Sequence, residues 1–318
     1  MVVPARNAPA ARASSPTDLR YVRVEEFLKA RSLSDNTQKA YRRELHRFLD
    51  WKDLPWNRIT PRHITGYKEY LRSTLTDSSL NRTLSALKSF FDWLGRTYPD
   101  VLPLDPTKTV SLNKLPSPPA RDLSDSEVTA LRSALSQRSS ETRLRDTAIL
   151  CVLLHGLRAG EVVALNLGDY DGVRLRIRKG KDDSGGSVPL DEAARGAINA
   201  YLLYRRTGGE RFSAQNPLFL SHSPIRGASP RLGYQGLYYL IRELGETAGI
   251  ANLTPHRLRH TYATNLLLKG IDSLHARTLT RHKSEVSFKR YAKRALESAA
   301  ERAFYQAIGE EPPVPDPH

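Results

Sequence analysis

Between Tyr98 and Arg121 the chain carries Pro103, Pro106, Pro116, Pro118 and Pro119. A proline ring fixes φ and removes an amide donor, so it interrupts helices and sheet ladders alike. No regular element can cross such a stretch, and it reads as a linker over residues 99–121. A chain of 318 residues is thereby divided into two segments, 19–98 and 122–310, each long enough to bury a core of its own. The start, MVVPARNAPAARASSP, is rich in Ala, Pro and Arg and has no acids. It reads as a disordered tail over residues 1–18, an organelle transit peptide being the alternative. EEPPVPDPH at the other end reads as a second tail, residues 311–318.

The first segment is helical by periodicity. Tyr21, Val24, Phe27 and Leu28 form one apolar face. Ser34 opens a second helix with Tyr41, Leu45, Phe48 and Leu49 inward and Arg42, Arg43 and Arg47 outward. Thr60-Pro61 starts a third helix carrying Ile64, Tyr67 and Leu71. Ser78 or Ser79 caps a fourth, with Leu84, Leu87, Phe90, Phe91 and Leu94 inward. Four helices with short links make a small all-α bundle. Its arginine faces are either DNA-binding or simply solvated, and periodicity alone leaves both open.

The second segment begins at a capping box, Ser124-x-x-Glu127. RDTAILCVLLHG is apolar nearly all round and reads as a buried helix that delivers GLRAGEVVALNLGDY. There Gly156 and Leu157 turn the chain and Arg158 emerges, either to cap a carbonyl or pair with Glu161, or to serve a site. Val173 to Ile177 alternate as a strand, RKGKDDSGG turns, and SVPL returns, which predicts a β-hairpin with a charged tip. Amphipathic helices follow at 191–204 and 232–248, with a short edge strand at Leu218–Leu220 between them. A last helix runs from Ala292 to Ile308 with Leu296, Ala299, Ala303, Phe304 and Ile308 as its stripe.

Chemistry gathers between His256 and Tyr291. Thr254 and Pro255 read as the N-cap and first residue of a helix, on which His256 and Arg259 stand three apart and share a face. A second helical segment ends near His282, and Tyr291 follows nine positions later. A phenol, an imidazole and a guanidinium are what metal-free attack on a phosphodiester needs: a nucleophile, a group to take its proton, and a clamp for the charged oxygens.

This set, with HRLRHTYATNLL and the interval from His282 to Tyr291, resembles the tyrosine recombinase (phage integrase) family, Xer-like members in particular. The resemblance extends to LSDNTQKAYRRELHRFLDW, to the linker's LDPTKTV…LP and to the GLRxxE box, and so covers about residues 19–310. It implies a mainly α fold with a small antiparallel β-sheet. An N-terminal SAM-like core-binding domain would join an α/β catalytic domain in a C-shaped DNA clamp. It also implies a catalytic set in chain order: Arg158, Lys179, His256, Arg259, His282 and Tyr291, with Tyr291 as nucleophile. Lys181 is the alternative to Lys179, or a DNA contact beside Arg42, Arg43 and Arg47. Glu161 would support the fold or orient Arg158. Arg281 departs from the family, which usually has Gly before this His.

The implied activity is site-specific DNA cleavage and rejoining through a 3′-phosphotyrosyl intermediate. Ester exchange calls for neither ATP nor metal, so no cofactor is expected. The implied partner is double-stranded DNA with inverted half-sites. The chain would be bound as a homo-tetramer, or as a hetero-tetramer with a second recombinase, in the cytoplasm and associated with the nucleoid. The formal charge of +15 agrees with a polyanionic partner. An uninterrupted apolar run long enough to span a bilayer and a lipidation motif are both missing from the sequence. Cys151 is the single cysteine, which excludes disulfides and cysteine-based zinc sites within one chain. A non-cleaving DNA-binding protein of the same fold and a type IB topoisomerase-like enzyme are the rival readings. A metal-dependent nuclease would need a carboxylate cluster that the sequence does not offer.

Overall fold

The structure is a computed structural model that describes residues 18–115, 122–178, 185–222 and 230–282, together with 288, 295, 297, 300, 301 and 303–310. The chain forms two compact units that divide between residues 116 and 117.

The first unit contains helices α1 (Leu19–Ala30), α2 (Asp35–Trp51), α3 (Pro61–Arg72) and α4 (Asp77–Thr97). Three of the four begin where a cap side chain meets an orphan amide. Asp18 accepts from Arg20 N, and Ser34 accepts from Thr37 N. Thr60 precedes Pro61 at the start of α3. The fourth helix is capped by Thr76 rather than by Ser78 or Ser79: Thr76 Oγ1 accepts from Ser79 N, so the helix starts at Asp77. Aromatic rings fill the core, with Phe27, Phe48, Tyr67, Phe90 and Phe91 all buried. The stretch expected to be a linker is in its first half laid against this unit. Leu102 and Val110 join its core, Lys88 Nζ donates to the Thr107 carbonyl, and Asn81 exchanges two hydrogen bonds with the Asn113 backbone. Proline stops regular structure, but it does not stop burial of the apolar residues between the prolines.

The second unit contains α5 (Asp125–Ser136), α6 (Ser140–Leu153), α7 (Ala159–Ala164), strands β1 (Arg174–Ile177) and β2 (Gly186–Pro189), then α8 (Glu192–Thr207), α9 (Tyr234–Thr247), α10 (Pro255–Leu268) and α11 (Ser273–Thr280). The strands pair antiparallel with Leu175 opposite Val188 and Ile177 opposite Gly186. Leu175 and Val188 are buried, so the hairpin is fastened to the helical core by one face. The expected edge strand at Leu218–Leu220 is absent. Pro217 bridges Asn166 and Leu220 bridges Arg231, and two partners from different segments make isolated bridges rather than a ladder. No helix among the described residues is long and apolar enough to cross a membrane.

Candidate active site

Gly156, in the turn just past helix α6, has φ +78°, and a Cβ there would meet the Tyr262 ring at 2.4 Å. Glycine alone gives this turn both its left-handed backbone and its clearance. The turn sets Arg158 at the N-cap of α7, where its backbone N–H donates to Glu161 Oε2 over 2.8 Å. Its guanidinium Nη1 lies 2.7 Å from Glu161 Oε1. The Arg158 side chain keeps 40% of its area open, so the charge is tethered but still presented outward.

Helix α10 supplies the next two groups. Its first turn is fixed by Thr254, which caps Arg257 N, and by Arg257, which reaches Glu127 on α5 at 2.8 Å. Pro255 at the first helical position loses no needed donor. His256 and Arg259 leave one face, as their spacing predicts. Arg259 is 2% exposed and its guanidinium donates to the carbonyls of Gly156 and Thr280. His256 and Arg158 line the same pocket as Arg259, a cavity of about 540 Å³ that also borders Tyr234 and Tyr238. The His256 residue is open to solvent, but its ring stands in this concave site. Lost hydration first, then the charges of Arg259 and Arg158, lower its pKa.

The end of α11 closes the set. Arg281 adopts the left-handed conformation, φ 54° and ψ 44°, at a cost of about 1 kcal/mol for a residue with a Cβ. Glycine adopts this backbone without strain, which fits the Gly that the resemblance to the family implies before this His. The left-handed turn aims consecutive carbonyls at both arginines, since Thr280 accepts from Arg259 and Arg281 accepts from Arg158 Nη2 at 3.0 Å. His282 follows with Nδ1 2.7 Å from Thr280 Oγ1. Burial and then Arg259 and Arg158 lower its pKa to about 3, so its ring is neutral at physiological pH.

Four predicted residues, Arg158, His256, Arg259 and His282, are thus carried by segments that converge. Lys179, Lys181 and Tyr291 lie outside the described residues. Arg178, just before the hairpin tip, pairs with Asp169 at 3.1 Å and donates to the Ala164 carbonyl. Of the predicted DNA contacts, Arg42 makes a bidentate pair with Glu25 at 2.6 and 2.7 Å. Arg43 and Arg47 flank Glu44 at 2.8 and 2.9 Å. The partly buried Arg42 and Arg47 side chains therefore stand along the bundle rather than simply outward. Sequence reasoning gave Glu161 its place beside Arg158 but missed Thr280. Its hydroxyl reaches His282 and its carbonyl reaches Arg259. A buried threonine at a helix end leaves no mark in a sequence.

Comparison with known proteins supplies the context. The model of the phage integrase family matches residues 121–297, and that of the phage integrase N-terminal SAM-like domain matches residues 24–97. The tyrosine recombinase XerC of Roseiflexus sp. (strain RS-1) is 32% identical over 274 residues, which cover 82% of this chain and 85% of the relative. The tyrosine recombinase XerD of Yersinia pestis is 33% identical over 265 residues, covering 78% and 85%. Among solved structures, XerH site-specific recombinase bound to difH substrate superposes with a TM-score of 0.66 at 19% identity, covering 88% of this chain and 84% of that one. A lambda integrase (75–356) dimer bound to a COC′ core site gives 0.67 at 18%, covering 85% and 93%. These two likenesses establish the fold.

Proposed function

The chain belongs to the phage integrase family, and from that premise we propose that it exchanges DNA strands through a covalent link to Tyr291. It is a tyrosine site-specific recombinase, an enzyme that cleaves and rejoins DNA. In the reading proposed, the Tyr291 oxygen attacks a backbone phosphate. The bond to the 5′ oxygen breaks, and a 3′-phosphotyrosyl ester and a free 5′-hydroxyl remain. Arg158 and Arg259 hold the non-bridging oxygens as charge builds on them. A free phenol has a pKa near 10, so its proton needs an acceptor, and His256, held neutral by its surroundings, takes that role. Lys179, with Lys181 as the alternative, protonates the leaving oxygen. His282, neutral and fixed by Thr280, orients the phosphate or the phenol. Rejoining runs the same steps backwards, with the 5′-hydroxyl as nucleophile.

The partner is double-stranded DNA with inverted half-sites. Its recognition combines the catalytic unit with the arginine-bearing face of α2, where Arg42, Arg43 and Arg47 stand. Assembly is a tetramer, of this chain alone or with a second recombinase. The helical residues 303–308 contribute to it, since Phe304 and Ile308 are 58% and 47% exposed. A DNA substrate of this kind places the protein in the cytoplasm with the nucleoid.

One observation carries the chemistry. Two arginines far apart in sequence are seated by consecutive carbonyls immediately before a histidine, with a second histidine beside them. This is a preorganised anion clamp with neutral bases at its edge. The test is a nicked suicide duplex carrying a site recovered by selection from a randomised DNA library. Wild-type protein joins covalently to the 3′ end without added metal, and Tyr291→Phe binds but forms no adduct. An adduct with Tyr291→Phe, or a 5′ link, refutes the assignment.

A further inference from the structure

Arg281 holds a left-handed backbone of the kind that favours glycine, and its surroundings give its side chain a purpose. The side chain is 6% exposed. Its stem passes Gly186 in β2, where an added Cβ would stand 3.2 Å from Cδ. Its Nη2 lies 2.7 Å from Glu161 Oε2, while the other oxygen of that carboxylate holds Arg158 Nη1 at 2.7 Å. The carbonyl of Arg281 accepts from Arg158 Nη2. Arg158 is therefore gripped by Arg281 along two routes, one through the backbone and one through Glu161.

The charge count explains why the second route matters. A lone Arg158–Glu161 pair is neutral and offers little to a phosphate. With Arg281 on the same carboxylate the cluster is net positive, and Glu161 is shared rather than spent on Arg158. Burial alone would raise the Glu161 carboxyl. Arg281 is the strongest influence lowering it, followed by the hydrogen bonds from Arg158, and the net pKa is below the usual carboxylate range.

We propose that Arg281 is a positioning residue for strand cleavage, sharing Glu161 with Arg158 so that the cluster holding the Arg158 guanidinium meets the scissile phosphate with a net positive charge. This rests on the recombinase reading above. In the same act the stem of Arg281 couples that charge to β2, the strand leading back from the hairpin tip.

The experiment uses the full chain and the library-selected nicked duplex, with either an ordinary phosphate or a methylphosphonate at the scissile position. The methylphosphonate lacks one anionic oxygen. Arg281→Met keeps the stem without the charge. Arg281→Gly removes the charge and relieves the left-handed backbone, so it folds even where the methionine variant does not. Both variants are expected to bind intact duplex within about threefold of wild type. Their single-turnover adduct rate should fall by about ten- to a hundredfold, by analogy with the loss when the outer partner of a metal ligand is removed. Arg281→Lys should recover part of the loss. On the methylphosphonate the gap to wild type should narrow, because less charge is left to neutralise. Arg281→Gly reacting as fast as wild type overturns the inference, as does an equal loss on both substrates, which marks a structural role only. If wild type itself forms no adduct, the recombinase assignment fails and this inference with it.

Discussion

At the scale of single residues the site trades folding stability for neutral imidazoles. His282 is held to a pKa of about 3 by burial and by Arg259 and Arg158, against about 6.5 in an unfolded chain. With the folded value the lower one, the unfolded state binds the extra proton, so stability falls as pH drops through 6.5 and continues to fall towards 3. By pH 5 the loss is about 1–2 kcal/mol. A His282→Gln variant should unfold in urea with a shallower decline between pH 7 and pH 5 than wild type. Parallel declines in the two proteins would show that His282 is not the titrating group. His256 shifts in the same direction, so the variant flattens the profile without abolishing its slope.

At the scale of elements, α2 shows how a basic face serves folding. Glu44 is 1% exposed, and its carboxylate is held by Arg43, Arg47 and the Thr83 hydroxyl. Removing both arginines leaves a buried carboxylate with one neutral donor. The partial exposure of the arginines moderates the usual penalty for a stranded charge, to about 2–3 kcal/mol. Arg42 pairs instead with Glu25, and both side chains are about two-fifths exposed, so Arg42→Ala should cost under about 1 kcal/mol. Urea denaturation of the two variants checks this ordering, and a doubly substituted chain as stable as Arg42→Ala would contradict it. Loss of DNA affinity in Arg42→Ala can then be assigned to a lost contact rather than to a loosened bundle.

At the scale of the molecule the balance is 49 Lys and Arg against 34 Asp and Glu. Many of the described arginines are engaged by acids within the protein, and the cations still outnumber the acids by 15. Binding dominated by phosphate contacts releases condensed counterions. A protein with about 6–10 such contacts loses about 10³–10⁵ in affinity between roughly 50 and 200 mM salt. Titration of a labelled duplex across that range should give a steep linear log–log plot. A nearly flat one would mean that few phosphates are neutralised.

The sequence by itself determined the elements whose causes are local. Ser34, Thr60-Pro61, the Ser124-x-x-Glu127 box and Thr254-Pro255 announce helix starts, because an N-cap acts within three residues of itself. The shared face of His256 and Arg259 follows from helical spacing alone. What tertiary structure decided was non-local. The carbonyls that seat the Arg158 and Arg259 guanidiniums each come from another segment of the chain, and no periodicity encodes which carbonyl a guanidinium will find. The burial of Leu102 and Val110 inside a proline-rich stretch depended on a surface that only the folded bundle provides. Arg281 joins the two kinds of information. As a residue it looked like a misfit before His282, and only its left-handed backbone and its bond to Glu161 show what a side chain at that turn can do.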